Sequence, residues 1–433
     1  MKRLFKLIVI SALLSCSTSA FADFTVRLTG ATAFRNQSNS AILAMFGGEA
    51  SVRIAHNGGS SKPTGLENLN NCTKAIFKGA YLSQQVTVKI VWTGSVGGLH
   101  SVADQTPLGA LPDSVLPVGN GFANAVTSAT GTESPNLTAD FAFSDVRQEN
   151  TNANTSPALP EPTPVGVVPF TWMKNPTTPA GVTNMDGQKA RLLFANGYAP
   201  VSIWTGDVAD SGTFVLVTGR NDDSGTRAEV LAETQYGVFN LVRQFYASAL
   251  TKADTTADNP TNPVAGGAIQ TLTLWPTSGY GLSLNTTEGN GGYNSSTRSA
   301  NVITKTTAAV TTAASSPVLH PGVSGAAAGL VVYGDMTTWR TAFAGNPSVG
   351  RLSYEGVSYD DSAADAPKVY NGAYTYWSYE QLYEKNGGLS GDLSTFRDDL
   401  VAAIQGNLGP LSAGLPITSM NVARDTDGGL IGF

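Results

Sequence analysis

Arg220, Asp222, Ser224, Gly225 and Thr226 fall within the nine-residue stretch Gly219-Arg220-Asn221-Asp222-Asp223-Ser224-Gly225-Thr226-Arg227. Those residue types at that spacing suit the holding of an anion. Ser224 is a good helix N-cap residue, and Gly225 allows close approach to the backbone. A helix start presents free N–H groups and a partial positive charge. Arg220 adds a fixed charge with fork geometry, which Asp222 could orient. The plainer reading is an ordinary capped turn beside a surface arginine, with Arg227 pairing on the helix surface.

The flanking sequence says what must position these groups. Thr213 to Thr218 is apolar and β-branched, as in a buried strand. After the stretch, Val230, Leu231, Leu241, Val242, Phe245 and Leu250 recur at helical spacings, which predicts a long helix. Similar strand-then-turn sequences lie at Thr32-Ala33-Phe34, at Gly94-Ser95 after the strand Val86–Trp92, and at Ser144-Asp145 after Asp140–Phe143. In an open α/β sheet, ligands bind beyond the carboxyl ends of strands, at helix starts. Four such turns, brought together, would form a pocket of hydroxyls and N–H donors with one Arg and one Asp.

Elsewhere the pattern is mixed. Phe24, Val26 and Leu28 alternate as a first strand, and Val52 and Ile54 as another. Residues 104–136, rich in Pro, Gly, Ser and Thr, read as an insertion, and 149–164 as a connection. Val165–Phe170 begins a new strand. A loop is expected over 251–270, a low-charge segment over 284–326, and a buried strand from Ala326 to Tyr333. The aromatic run Tyr374–Tyr383 is expected to continue into a helix, followed by a last amphipathic helix around Phe396, Leu400 and Ile404.

Composition narrows the function classes. Of 433 residues only 13% are charged, against 47 Gly and 22 Pro, which is the balance of an exported globular protein more than of a cytosolic enzyme. Lys2, Arg3 and Lys6, the apolar run Leu7–Leu14 and Ala20-Phe21-Ala22 form a secretory signal peptide with cleavage near Ala22. A lipoprotein acylated at Cys16 is the alternative. Cleavage leaves 23 basic against 32 acidic side chains, a net charge of −9, which argues against nucleic acid or anionic membrane as partners. It also leaves Cys72 as the only cysteine, so no intramolecular disulfide is expected. No transmembrane segment is expected in the mature chain. His56, His100 and His320 are scattered, so no metal, cofactor or catalytic group is expected. Asp425-Thr426-Asp427-Gly428-Gly429 is half a calcium loop without its closing Glu, and reads as a solvated turn.

Taken together the motifs resemble the periplasmic phosphate-binding proteins of phosphate ABC transporters, a branch of the type II solute-binding fold. Leu28-Thr29-Gly30-Ala31-Thr32-Ala33-Phe34 is similar to the family's first phosphate loop and Gly94-Ser95-Val96-Gly97-Gly98 to its second. Asp140–Asp145 is similar to its strand ending in Ser-Asp, and Arg220–Thr226 to its Arg-x-Asp-x-Ser-Gly-Thr signature. The resemblance covers about residues 24–380, without the long polar insertions. It implies a two-lobed α/β fold with the ligand in a cleft between the lobes. By the order of the chain, 23–164 with 366–433 would form one lobe and 165–365 the other. It implies that Ser95, Ser224, Gly225 and Thr226 donate to phosphate, that Arg220 adds charge with Asp222 behind it, and that Phe34 offers main-chain N–H groups. The first loop is one residue shorter than the family's, so either Thr32 or Ala33 would face the ligand. Asp145 would be an acceptor.

An acceptor facing an anion is informative. A buried carboxylate beside a dianion is repulsive unless a proton lies between them. Phosphate near neutral pH carries that proton and sulfate does not. The expected product is a monomeric periplasmic or extracellular protein that captures phosphate or a similar oxyanion for an ABC permease. Two other classes remain open: a cell-surface or extracellular interaction protein built on the same fold, and a secreted phosphatase or esterase with Ser224 as nucleophile.

Overall fold

A computed structural model describes residues 23–58, 69, 72–122, 131–251, 258–275, 288–312, 328–389, 391–409, 412 and 414–433. The proposed signal peptide, with Cys16, lies outside the described residues. The fold is mixed α/β, organised on a 13-stranded sheet.

In the first half of the chain, β1 (Phe24–Gly30) leads to α1 (Arg35–Met45), then β2 (Val52–His56), β3 (Lys74–Tyr81) and β4 (Gln84–Val91). Helix α2 (Ser95–Ala103), the two-residue β5 (Gly121–Phe122) and β6 (Phe141–Ser144) follow. β1 lies between β4 and β6 and is parallel to both. Their carboxyl ends, at Gly30, Val91 and Ser144, therefore share one edge of the sheet. Val26, Leu28, Val88, Ile90, Phe141 and Phe143 are all fully buried there and, at alternate positions in register, share one face of the sheet. β3 went unread in the sequence, since Lys74, Lys78 and Gly79 interrupt its apolar run.

β7 (Thr163–Lys174), 12 residues long, joins the two halves of the sheet. Its first part pairs with β16 (Trp377–Glu384), and its last part with β14 (Ala328–Asp335) and β15 (Gly350–Tyr354). The second half also contains β8 (Asn184–Met185), α3 (Gly187–Asn196), β9 (Tyr198–Pro200), β10 (Phe214–Thr218) and α4 (Gly225–Glu233). β10 and β14 are parallel, so Thr218 and Asp335 end at a common edge, and α6 (Met336–Gly345) starts there. α7 (Gly391–Gln405) packs back on α1, burying Phe396, Leu400 and Ile404 as the spacing predicts.

Three expectations are corrected. The helix after the glycine turn stops at Glu233, because Gln235 (φ +55°) and Gly237 (φ +99°) turn the chain. Phe245 and Leu250 belong instead to β11 (Phe245–Thr251), which pairs with β12 (Ala268–Leu274). Second, β12 begins within the stretch expected to be loop, α5 (Ser296–Ile303) and β13 (Thr306–Thr312) lie in the low-charge segment, and β11, β12 and β13 form a separate sheet. Trp275, Tyr246 and Tyr293 are buried beside it. Third, the aromatic run continues as strand β16 and not as helix. Sandwiched between β6 and β7, it is buried on both faces and so lacks alternation. The insertion 104–136 is pinned at Glu133, which pairs with Arg27 at 3.0 Å and Lys89 at 2.7 Å.

Candidate functional site

Each of the four turns leaves a strand at the shared edges described above. From β1, Gly30 has φ +115° and a Cβ there would lie 2.0 Å from the Phe143 carbonyl oxygen, so only glycine permits this packing. The chain then passes through Thr32 and Ala33 to Phe34, the N-cap of α1. Gly94 donates its N–H to Gly30 O at 3.0 Å, and Ser95 opens α2 directly behind it. Val96 N–H donates to Asp223 O at 3.2 Å, which brings the Arg220–Thr226 loop of the second half against the start of α2 in the first.

The predicted groups meet here. Ser95 Oγ donates to Asp145 Oδ1. A Cβ on Gly225 would lie 1.6 Å from that same carboxylate oxygen and 2.5 Å from Ser95 Oγ. Asp145 thus sits over the first turn of α4, and the glycine there is obligatory. Ser95, Asp145, Arg220, Ser224 and Thr226 are between 1% and 3% exposed, Ala33 4% and Phe34 0%. Thr32 is half-buried, and the Phe34 ring packs against Phe143 at 5.9 Å. For Phe34 this leaves only the backbone to act on a ligand.

Arg220 is held from the second half. Its Nε donates to Tyr293 O at 3.0 Å and its Nη1 to Ser296 Oγ at 2.8 Å, while its backbone N–H donates to Tyr333 Oη at 3.1 Å. Asp222 lines a cavity of about 260 Å³ that also includes Arg227. Its charge acts on Arg227 and Asp223. Arg227 is not a surface residue: it is buried and donates to Asn290 O at 2.7 Å and Asn290 Oδ1 at 2.5 Å. The paired Tyr293 and Ser296 gave no signal in the sequence, because they come from a low-charge segment with no motif of its own.

The helix starts around the site differ from those of α3, α5 and α6, although the short helices Ser202–Thr205 and Ala366–Tyr370 also begin without side-chain caps. α1, α2 and α4 have no side-chain cap and no acid in their first turns. α3, α5 and α6 are each capped, by Asp186, Ser295 and Asp335. Ser224 occupies the N-cap position with extended backbone, yet its Oγ, fully buried, is hydrogen-bonded by no protein group. Three helix termini without side-chain caps, at a buried site, leave their N–H dipoles for an anion to satisfy.

The charges fit the same picture. Burial pushes the Asp145 carboxyl up to about 6; the Ser95 hydrogen bond and the Arg220 charge pull it down, and Asp335 pushes it up. Burial disfavours the charged forms of Arg220 and Arg35, and Asp335 offsets this for both. Asp335 and Arg35 were not singled out from the sequence. Asp335 was legible as Asp-x-x-Thr directly after the buried strand, a strand-to-helix junction like the other four. Among the described residues no group of three or more His, Cys, Asp or Glu side chains is placed to hold a metal, and no helix is long and apolar enough to cross a membrane. The Asp425–Gly429 turn is partly solvated, and the half-buried Asp427 carboxylate accepts from Arg147 N at 2.7 Å and Asn150 Nδ2 at 2.9 Å.

No protein-family model matches the chain, and no curated protein matches it. Among solved structures it is similar to an ABC-type phosphate transport receptor from Vibrio cholerae, at 11% identity and a TM-score of 0.39, over 87% of this chain and 93% of that one. It is also similar to a phosphate-binding protein from Stenotrophomonas maltophilia, at 15% identity and a TM-score of 0.31, over 88% and 82%. At such scores the likeness does not by itself decide what this chain binds.

Proposed function

We propose that the protein is an exported solute-binding protein that captures phosphate between two lobes, 23–164 with 366–433 and 165–365, and delivers it to an ABC permease. The observation that carries this reading is the meeting of three helix starts without side-chain caps around Asp145 and Arg220, all buried. Ser95, Ser224, Gly225 and Thr226, with the backbone of Thr32, Ala33 and Phe34, supply donors; Arg220 supplies charge; Asp145 accepts the anion's proton. Binding replaces the hydration shell of the ion by fixed donors and needs no catalytic group. Ser224 is read as a donor and not a nucleophile, since no histidine is hydrogen-bonded to its Oγ.

Calorimetry of the mature protein with phosphate and with sulfate tests this. The expected result is phosphate binding with sulfate weaker by about 10- to 150-fold, the worth of one charge-assisted hydrogen bond. Asp145→Asn should narrow that gap. No heat of binding at millimolar phosphate would sink the proposal, and equal competition by sulfate would remove the role of Asp145.

A further inference from the structure

Strand β16 runs through the middle of the sheet, yet it carries Glu380. That side chain is 0% exposed, and no protein group hydrogen-bonds either carboxyl oxygen. Among the described residues it takes part in no ion pair. Glu229 of α4 is also fully buried with neither oxygen hydrogen-bonded, but it has a countercharge, the Arg424 guanidinium 3.6 Å away. A carboxyl buried without a partner is strongly destabilising, and such a group persists in a core when it serves a ligand.

Its position points to the same site. The next residue, Gln381, is registered opposite Ser144, which directly precedes Asp145. Glu380 itself is opposite Gly166 of β7, where a Cβ would come within 3.5 Å of the Phe34 ring at the start of α1. The two acids whose charges reach it are Asp145 and Asp335, the acids that also act on Arg220.

Resting on the oxyanion reading above, we infer that Glu380 is a further ligand-selecting group of the same site, a carboxylic acid whose O–H is donated to the bound anion. Burial first, then the charges of Asp145 and Asp335, push its carboxyl well above the ordinary carboxylate range, which favours the neutral, donating form. Asp145 and Glu380 then make complementary demands. One accepts a proton from the anion, and the other gives a hydrogen bond to an unprotonated oxygen. Hydrogen phosphate meets both.

Phosphate calorimetry and thermal unfolding of wild type, Glu380→Leu and Glu380→Gln test this. Leucine removes the unpartnered polar group, so Tm is expected to rise while phosphate affinity falls about 10- to 100-fold. Glutamine, whose amide can donate, is expected to recover most of that affinity. A structural role alone predicts the higher Tm with affinity unchanged, and that result overturns the inference. If the leucine variant does not fold, infrared difference spectra decide. Adding phosphate to the wild type should shift the carbonyl stretch of a protonated carboxyl, a band absent from Glu380→Gln; no such shift would also overturn it. Wild type that binds no phosphate refutes the oxyanion reading itself, whereas phosphate binding indifferent to Glu380 refutes this inference alone.

Discussion

Asp145 is the residue where stability and binding pull in opposite directions. Its carboxyl is held up at about 6, against an ordinary value of 3.8. A carboxyl raised in the folded protein stabilises it fully below its unfolded value, and that contribution is lost as pH rises through the folded value. The window here runs from about pH 4 to about pH 6. Above it the ligand-free protein bears a buried charge worth on the order of 2–3 kcal/mol. Asp145→Asn removes the charge and keeps an oxygen for Ser95 to donate to. Denaturant titrations without phosphate are therefore expected to show the variant more stable than wild type at pH 7, with the difference vanishing near pH 4. A wild type equally stable relative to the variant at both pH values would mean that the carboxylate is solvated in the folded protein.

At the scale of the helix, the contrast between capped and uncapped starts makes a paired prediction. Asp186 accepts from Lys189 N at 2.8 Å, so Asp186→Ala is expected to cost about 1 kcal/mol in thermal or denaturant unfolding. Ser224 stands at the same position of α4 with its hydroxyl unengaged by the protein. Ser224→Ala should leave stability within about 0.5 kcal/mol and lower phosphate affinity about tenfold. A stability loss equal to that of Asp186→Ala, with binding intact, would make Ser224 an ordinary cap. This difference was invisible in the sequence, where Ser224 read as a good N-cap from its type alone and Asp186 was not singled out. What sequence did convey was local: the turns after β1, β4, β6 and β10, and those four strands. It missed what depends on the other half of the chain. Phe245 and Leu250 continue the periodicity of α4 and were assigned to it, although β12 draws them into a strand. Glu380 and the aromatics around it lie in a central strand buried on both faces, where the period-2 signal is lost.

At the scale of the molecule, the site is divided between segments far apart in the chain, and β7 is the strand through which the sheet passes from one half to the other. The 260 Å³ cavity beside the site has Val96 and Asn150–Asn152 on the side of the first half and Asp222, Arg227, Phe239, Asn240 and Asn290 on that of the second. A ligand enclosed by groups that are only 1–3% exposed can enter or leave only if these two walls separate. Joining them covalently should then stop exchange. The chain suits the experiment: among the described residues Cys72 is the sole cysteine, fully buried, and burial pushes its thiol up to about 12, so it is poorly reactive toward maleimides. In Asn152→Cys/Asn240→Cys, a short bismaleimide applied after loading with radiolabelled phosphate is expected to trap the label, slowing its release at least about tenfold, while each single variant treated alike releases normally. Cross-linked protein that exchanges phosphate as fast as the uncoupled protein would show that the walls need not part, and that the anion enters by another route or binds elsewhere.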